Sequence, residues 1–204
     1  MSSNKLLYGI FILVVAWFAL IAQWIITIFG LVDFLSFFTV QSNLMVAVCL
    51  SFSLLLPRSK PGIFFAKSSV QSAIALYIFI VGLVYNTLLR GLADYTGLQW
   101  VLDNLLHVAV PILFVIYWFL FTPRTFFRWS QCLYWLIYPF FYTLYSMIRG
   151  SIVHWYPYPF LNVDTLGYAQ VFINMFFILG AFSIAGLIII AINRSAGKGR
   201  IISN

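Results

Sequence analysis

A histidine stands one helical turn after an aspartate in Asp103-Asn104-Leu105-Leu106-His107, and Pro111 follows four residues later. Imidazole exchanges protons near neutral pH, and a carboxylate at this spacing can orient its ring, so the pair can serve as a general base. Pro111 cannot donate to the His107 carbonyl, which should loosen the helix beside the imidazole and free an acceptor. Thr39 and Ser42 are the hydroxyls available to such a base, and a threonine hydroxyl attacks a carbonyl only with a base beside it. Asn43 shares their helical face. Asn86 and Arg90 lie one turn apart, as do Gln170 and Asn174. Tyr138, Tyr142, Tyr145, Ser146 and Arg149 form a stripe. Taken singly, most of these are side chains that hydrogen-bond between membrane helices, worth about 0.6–2 kcal/mol each. Two arginines, an aspartate and a histidine together are harder to explain that way, because ionisable groups at membrane depth are costly.

Other chemistries find no residues here. With two histidines and no H-x-x-x-H or H-E-x-x-H, no metal site is expected. G-x-S-x-G and a phosphate-cradling glycine loop are missing too, and no cofactor is expected. Cys49 and Cys132 fall in different apolar runs and read as buried apolar residues. His154 sits in a connection with no partner at a telling spacing.

The elements that must hold these residues are membrane helices. Of 204 residues 64% are apolar and 7% charged, and the apolar ones come in long runs. A soluble domain carries about 25% charge. A spanning helix needs about 20 residues. Six spans are expected, at about 6–29, 37–56, 70–91, 101–121, 131–150 and 168–192, as one all-α transmembrane domain over 1–204. The first run is too long for a signal peptide core and no cleavage site follows it, so it reads as the first span.

Orientation follows from the basic residues. With both termini cytoplasmic, Lys5, Arg58, Lys60, Lys67, Arg124, Arg128, Arg194, Lys198 and Arg200 face inward, nine of the 11 Lys and Arg. Asp33, Asp94, Asp103 and Asp164, the four acids, fall on the outer side. The net charge of +7 is therefore topology information, and no basic platform for nucleic acid exists. The polar span residues also fall in the outer half, with Asn43, His107 and Asn174 about 6–9 Å below the outer boundary at the helical rise. The inner half is expected to be nearly purely apolar. His154-Trp155-Tyr156-Pro157-Tyr158-Pro159-Phe160 is stiff and aromatic, a cap across the bundle mouth or an interfacial belt.

Three stretches carry a resemblance: Phe38-Thr39-Val40-Gln41-Ser42-Asn43-Leu44, Asp103-Asn104-Leu105-Leu106-His107 with Pro111, and Trp155-Tyr156-Pro157-Tyr158-Pro159-Phe160-Leu161. Through bacterial six-span relatives, the chain resembles the androgen-induced and androgen-dependent TFPI-regulating membrane proteins. Their motifs read L-T-x-x-D/N-L, N-H-x-x-H-T-x-x-L-P and W-x-Y-P-F-L. The resemblance implies a membrane threonine hydrolase of fatty acid esters of hydroxy fatty acids in a bacterial cytoplasmic membrane, with Thr39 as nucleophile and His107 as base. Asn43 follows Thr39 by four residues where the eukaryotic motif has three, so Ser42 stands as a reserve nucleophile.

On this reading Asp103 or a backbone carbonyl holds the imidazole, and Asn43, Asn86 or a tyrosine of the fifth span donates to the oxyanion. Arg90 or Arg149 binds a substrate carboxylate. Asn104, Tyr142, Tyr145 and Asn174 line or support the same pocket. The partner is a membrane lipid or fatty-acyl ester, with no protein partner implied. The alternative is a non-catalytic lipid-binding or transport protein, in which Arg90, Arg149 and Asp103 recognise a headgroup or an ion.

Overall fold

A computed structural model describes residues 2–28 and 30–201, with side chains described to residue 195. Phe29, the expected end of the first span, lies outside the described residues, as do the side chains of Lys198 and Arg200. Among the described residues the chain is helical and contains no strand. The order is α1 (Ser3–Ile26), α2 (Leu31–Leu35), α3 (Phe38–Leu50), α4 (Lys60–Phe65), α5 (Ser68–Val84), α6 (Gly97–Asn104), α7 (Val110–Phe121), α8 (Gln131–Val153) and α9 (Val163–Ile201). Wider π-helical turns extend α3 over Ser51–Leu55 and α5 over Tyr85–Leu89, and join α6 to α7 over Leu105–Ala109.

Five of the resulting helical stretches are long and apolar enough to cross a membrane: Ser3–Ile26, Phe38–Leu55, Ser68–Leu89, Gly97–Phe121 and Val163–Ser195. The expected fifth span, 131–150, forms a helix of 23 residues, α8, but it is less apolar than the other five. Four tyrosines, Pro139 and Arg149 dilute its aliphatic content.

Helix ends follow local chemistry. Ser2 caps α1, its hydroxyl accepting from the Lys5 N–H at 3.4 Å. Ser59 caps α4 through the Gly62 N–H at 3.0 Å. Asn162 accepts from the Thr165 N–H at 3.2 Å at the start of α9, which then breaks at Gly167 (φ 74°). Left-handed φ of this kind suits glycine, and the break falls where the last span was expected to begin.

The chain divides into two compact units, 1–123 and 124–204. In the first, α1 packs on α3 and α7, and α5 packs on both of these. Ile12, Ala16, Val46, Leu50, Leu76 and Phe114 form its interior. One end, here the upper, gathers α2, the start of α3 and the start of α6; Gln23 and Gln99 exchange an amide hydrogen bond there at 3.3 Å. The lower end gathers Lys5, α4 and the close of α7, with the Lys5 ammonium donating to the Phe121 carbonyl at 3.3 Å.

The lower half is not purely apolar, contrary to expectation. Trp118 donates to Ser72 at 2.9 Å and Thr122 to Gln71 at 2.8 Å, all four buried. Each of these polar groups satisfies the other across α5 and α7, which makes them cheap to bury. Projecting one helix at a time cannot reveal a partner on another helix.

In the second unit α8 packs on α9, with the Cys132 thiol 3.8 Å from the Ser183 carbonyl. Cys49 and Cys132 are both free and buried. His154 ends α8 in the left-handed region (φ 52°). The chain then folds back so that the Tyr156 ring covers Gly150, leaving no room for a Cβ there.

Candidate functional site

The upper end of the first unit is shaped by a fault in the helix that carries His107. In the π turn the Val110 N–H donates to the Leu105 carbonyl, five residues back. Leu106 therefore loses its ordinary donor, and the next candidate is Pro111, which has no N–H. Asn43 fills the gap: its Nδ2 lies 3.0 Å from the Leu106 carbonyl and 2.9 Å from the Thr39 carbonyl. Sequence reasoning expected a freed acceptor at His107; the acceptor that Asn43 serves is the neighbouring carbonyl of Leu106. The same amide ties the start of α3, and so Thr39, to the level of His107.

This geometry removes Asn43 as an oxyanion donor. An amide has two N–H groups, and both are directed at backbone carbonyls. Its Oδ1 and the Ser42 hydroxyl oxygen are fully buried and make no hydrogen bond within the protein. Such atoms are costly to bury unless something supplies the partner. Thr39 is buried beside them on α3.

His107 is held by two acceptors on one residue. Its Nδ1 lies 2.9 Å from the Asp103 carbonyl and 3.0 Å from Asp103 Oδ1. Since both are acceptors, the neutral ring keeps its proton on Nδ1, and Nε2 carries the basic lone pair. Asp103 is itself buried, and its Oδ2 accepts from the Tyr85 hydroxyl. The Tyr85 ring lies flat against the imidazole, with centroids 4.1 Å apart and planes at 13°. Gly82, one turn before Asn86, allows this approach: a Cβ there would lie 3.1 Å from Pro111 Cβ and 3.4 Å from the His107 carbonyl. Outside the helices, burial first and then the Asp103 charge push the Tyr95 phenol above its ordinary pKa.

Tyr85 was not singled out by spacing, for a definite reason. An α-helix aligns residues three and four apart, which pairs Asn86 with Arg90. A π turn aligns residues five apart, and here the Arg90 N–H donates to the Tyr85 carbonyl at 2.8 Å. The Arg90 guanidinium carbon sits 5.6 Å from the Tyr85 ring centre, and its Nη2 donates to Asn104 Oδ1 at 3.0 Å. Asn86, expected inside, is exposed, and its amide donates to the Gly82 carbonyl at 2.7 Å.

The remaining expected residues belong to the second unit. Tyr142 and Ser146 are buried, while Tyr145 is 40% exposed and lies off their stripe. The Arg149 guanidinium stacks 4.8 Å from the Trp155 ring. Asn174 accepts from Gln170 at 3.0 Å and donates to the Phe160 carbonyl at 2.9 Å, which pins the 159–161 turn to α9. That bond gives Asn174 a structural task within its own unit.

Compared with known proteins, the chain matches no family model, no curated protein and no solved structure. Among the described residues no cluster of metal-ligating side chains occurs.

Proposed function

We propose that the upper end of the first unit is the active site of an intramembrane hydrolase of lipid esters, with Thr39 as nucleophile and His107 as base. The observation that carries this reading is the double restraint on His107 Nδ1 by Asp103, which leaves Nε2 as a proton acceptor. The Thr39 hydroxyl oxygen attacks the ester carbonyl while Nε2 takes its proton. The tetrahedral intermediate collapses, the imidazolium returns the proton to the departing alkoxide, and an acyl-Thr39 ester remains. Water, deprotonated by the same nitrogen, releases the acid and restores the threonine. Ser42, whose buried hydroxyl lacks a partner in the protein, takes the place of Asn43 as donor to the oxyanion.

The substrate class, fatty acid esters of hydroxy fatty acids, comes from the motif resemblance at Thr39, His107 and the Trp155–Leu161 stretch. The same proposal includes six spans, with α8 crossing as the fifth, both termini cytoplasmic, and residence in a bacterial cytoplasmic membrane. The test is turnover of such esters by the purified protein. Thr39→Ala and His107→Ala should each lose about 100-fold or more, the scale of a missing general base. Undiminished turnover in both variants would overturn the assignment.

A further inference from the structure

We propose that Tyr85 is a positioning residue, which fixes both the tautomer and the plane of the His107 imidazole through Asp103 and through its own ring. The geometry stands by itself; its consequence for turnover rests on the hydrolase reading above.

The Asp103 carboxylate turns about its terminal bond unless both oxygens are engaged. The Tyr85 hydroxyl engages Oδ2, and this directs Oδ1 to His107 Nδ1 at 3.0 Å. The Tyr85 ring, parallel to the imidazole at 4.1 Å, blocks its rotation out of that plane. One side chain thus aims the carboxylate acceptor and sets the ring's plane, alongside the Asp103 carbonyl that also faces Nδ1 at 2.9 Å. The two rings lie on separate π turns, Tyr85–Leu89 and Leu105–Ala109. π turns are uncommon and concentrate at functional sites. Two of the three π turns among the described residues occur where these rings meet; the third, Ser51–Leu55, closes α3 elsewhere. Asp103 would be expensive to bury with one partner, and Tyr85 supplies the second.

A tyrosine that only filled space between α5 and α6 would leave the tautomer unmoved, and this separates the two roles. The chain has 2 histidines, so ring-nitrogen NMR of labelled protein gives two resolvable sets, and His154→Gln assigns them. In its neutral form native His107 should show a ring protonated on Nδ1. Tyr85→Phe keeps the stack and removes the donor; it should give a mixture of tautomers, with kcat down about tenfold and KM little changed. Tyr85→Leu removes both and should do more. An unchanged nitrogen spectrum in well-folded Tyr85→Phe would overturn the proposal, whatever its turnover. If the native protein hydrolyses no ester, the hydrolase reading falls while the spectrum still decides the role of Tyr85. If Thr39→Ala and His107→Ala abolish turnover and Tyr85→Phe alters neither kcat nor the spectrum, only the present inference falls.

Discussion

The Asn43 amide reaches the Leu106 carbonyl at 3.0 Å and fills the place of a backbone donor that Val110 has redirected and Pro111 lacks. Helix α3 thereby repairs a fault in the helix that carries His107. Asn43→Leu should leave that carbonyl buried and unpaired, at a cost of about 1–3 kcal/mol, read as a lower melting temperature in detergent. Pro111→Ala returns an N–H to the helix. The double variant should therefore be more stable than the two single losses added together, since both act on one carbonyl. Strict additivity would show that Asn43 stabilises by another route.

A second prediction concerns the lower half. Gln71 and Thr122 satisfy each other at 2.8 Å, and Gln71 also donates to the Phe65 carbonyl at 3.1 Å. Thr122→Val alone strands a buried amide oxygen and should cost about 1–3 kcal/mol. Gln71→Leu with Thr122→Val removes both ends of the pair and should cost less than the two single changes summed. Thermal melts of the three variants check this. No change in turnover is expected, because neither residue lies near His107.

Close approach at Gly82 gives a third. A Cβ at this position meets Pro111 Cβ at 3.1 Å and the His107 carbonyl at 3.4 Å. Gly82→Ala asks the neighbours to yield by a few tenths of an ångström, and helix propensity works in its favour. Gly82→Leu should force α5 off the π turn, cost about 1–3 kcal/mol as overpacking does, and lower kcat through the Tyr85–His107 stack. A Gly82→Leu protein with native turnover would show that the stack tolerates displacement.

These residues also show how much the chain discloses before it folds. The helices were legible because apolar runs of about 20 residues have few other uses. The Asp103–His107 contact was legible because a spacing of four is fixed by helix geometry. Tyr85 was hidden because the π turn changes the period locally from four to five. Gln71 and Thr122 were hidden because their pairing depends on the rotation of two helices. Asn43 was correctly placed beside Thr39, yet its expected donor role failed, because nothing in its own helix announces the orphaned carbonyl on another.

Topology offers the last prediction. Helix α8 has 23 residues, about 35 Å at the helical rise, enough for a hydrocarbon core of about 30 Å. Its tyrosines and Arg149 make it the least apolar of the expected spans. Whether it crosses is decided by the sides on which its two ends lie. Cys49 and Cys132 are buried, so they give little background to a membrane-impermeant maleimide. Basic residues favour the cytoplasmic side, so Arg58→Cys and Arg128→Cys should label only after the membrane is opened. Asp94→Cys and Asp164→Cys should label on intact spheroplasts. If position 128 labels from the same side as position 164, α8 does not cross and the six-span arrangement fails. If all four label on the reversed sides, the span count survives and the cytoplasmic assignment of the N-terminus is overturned.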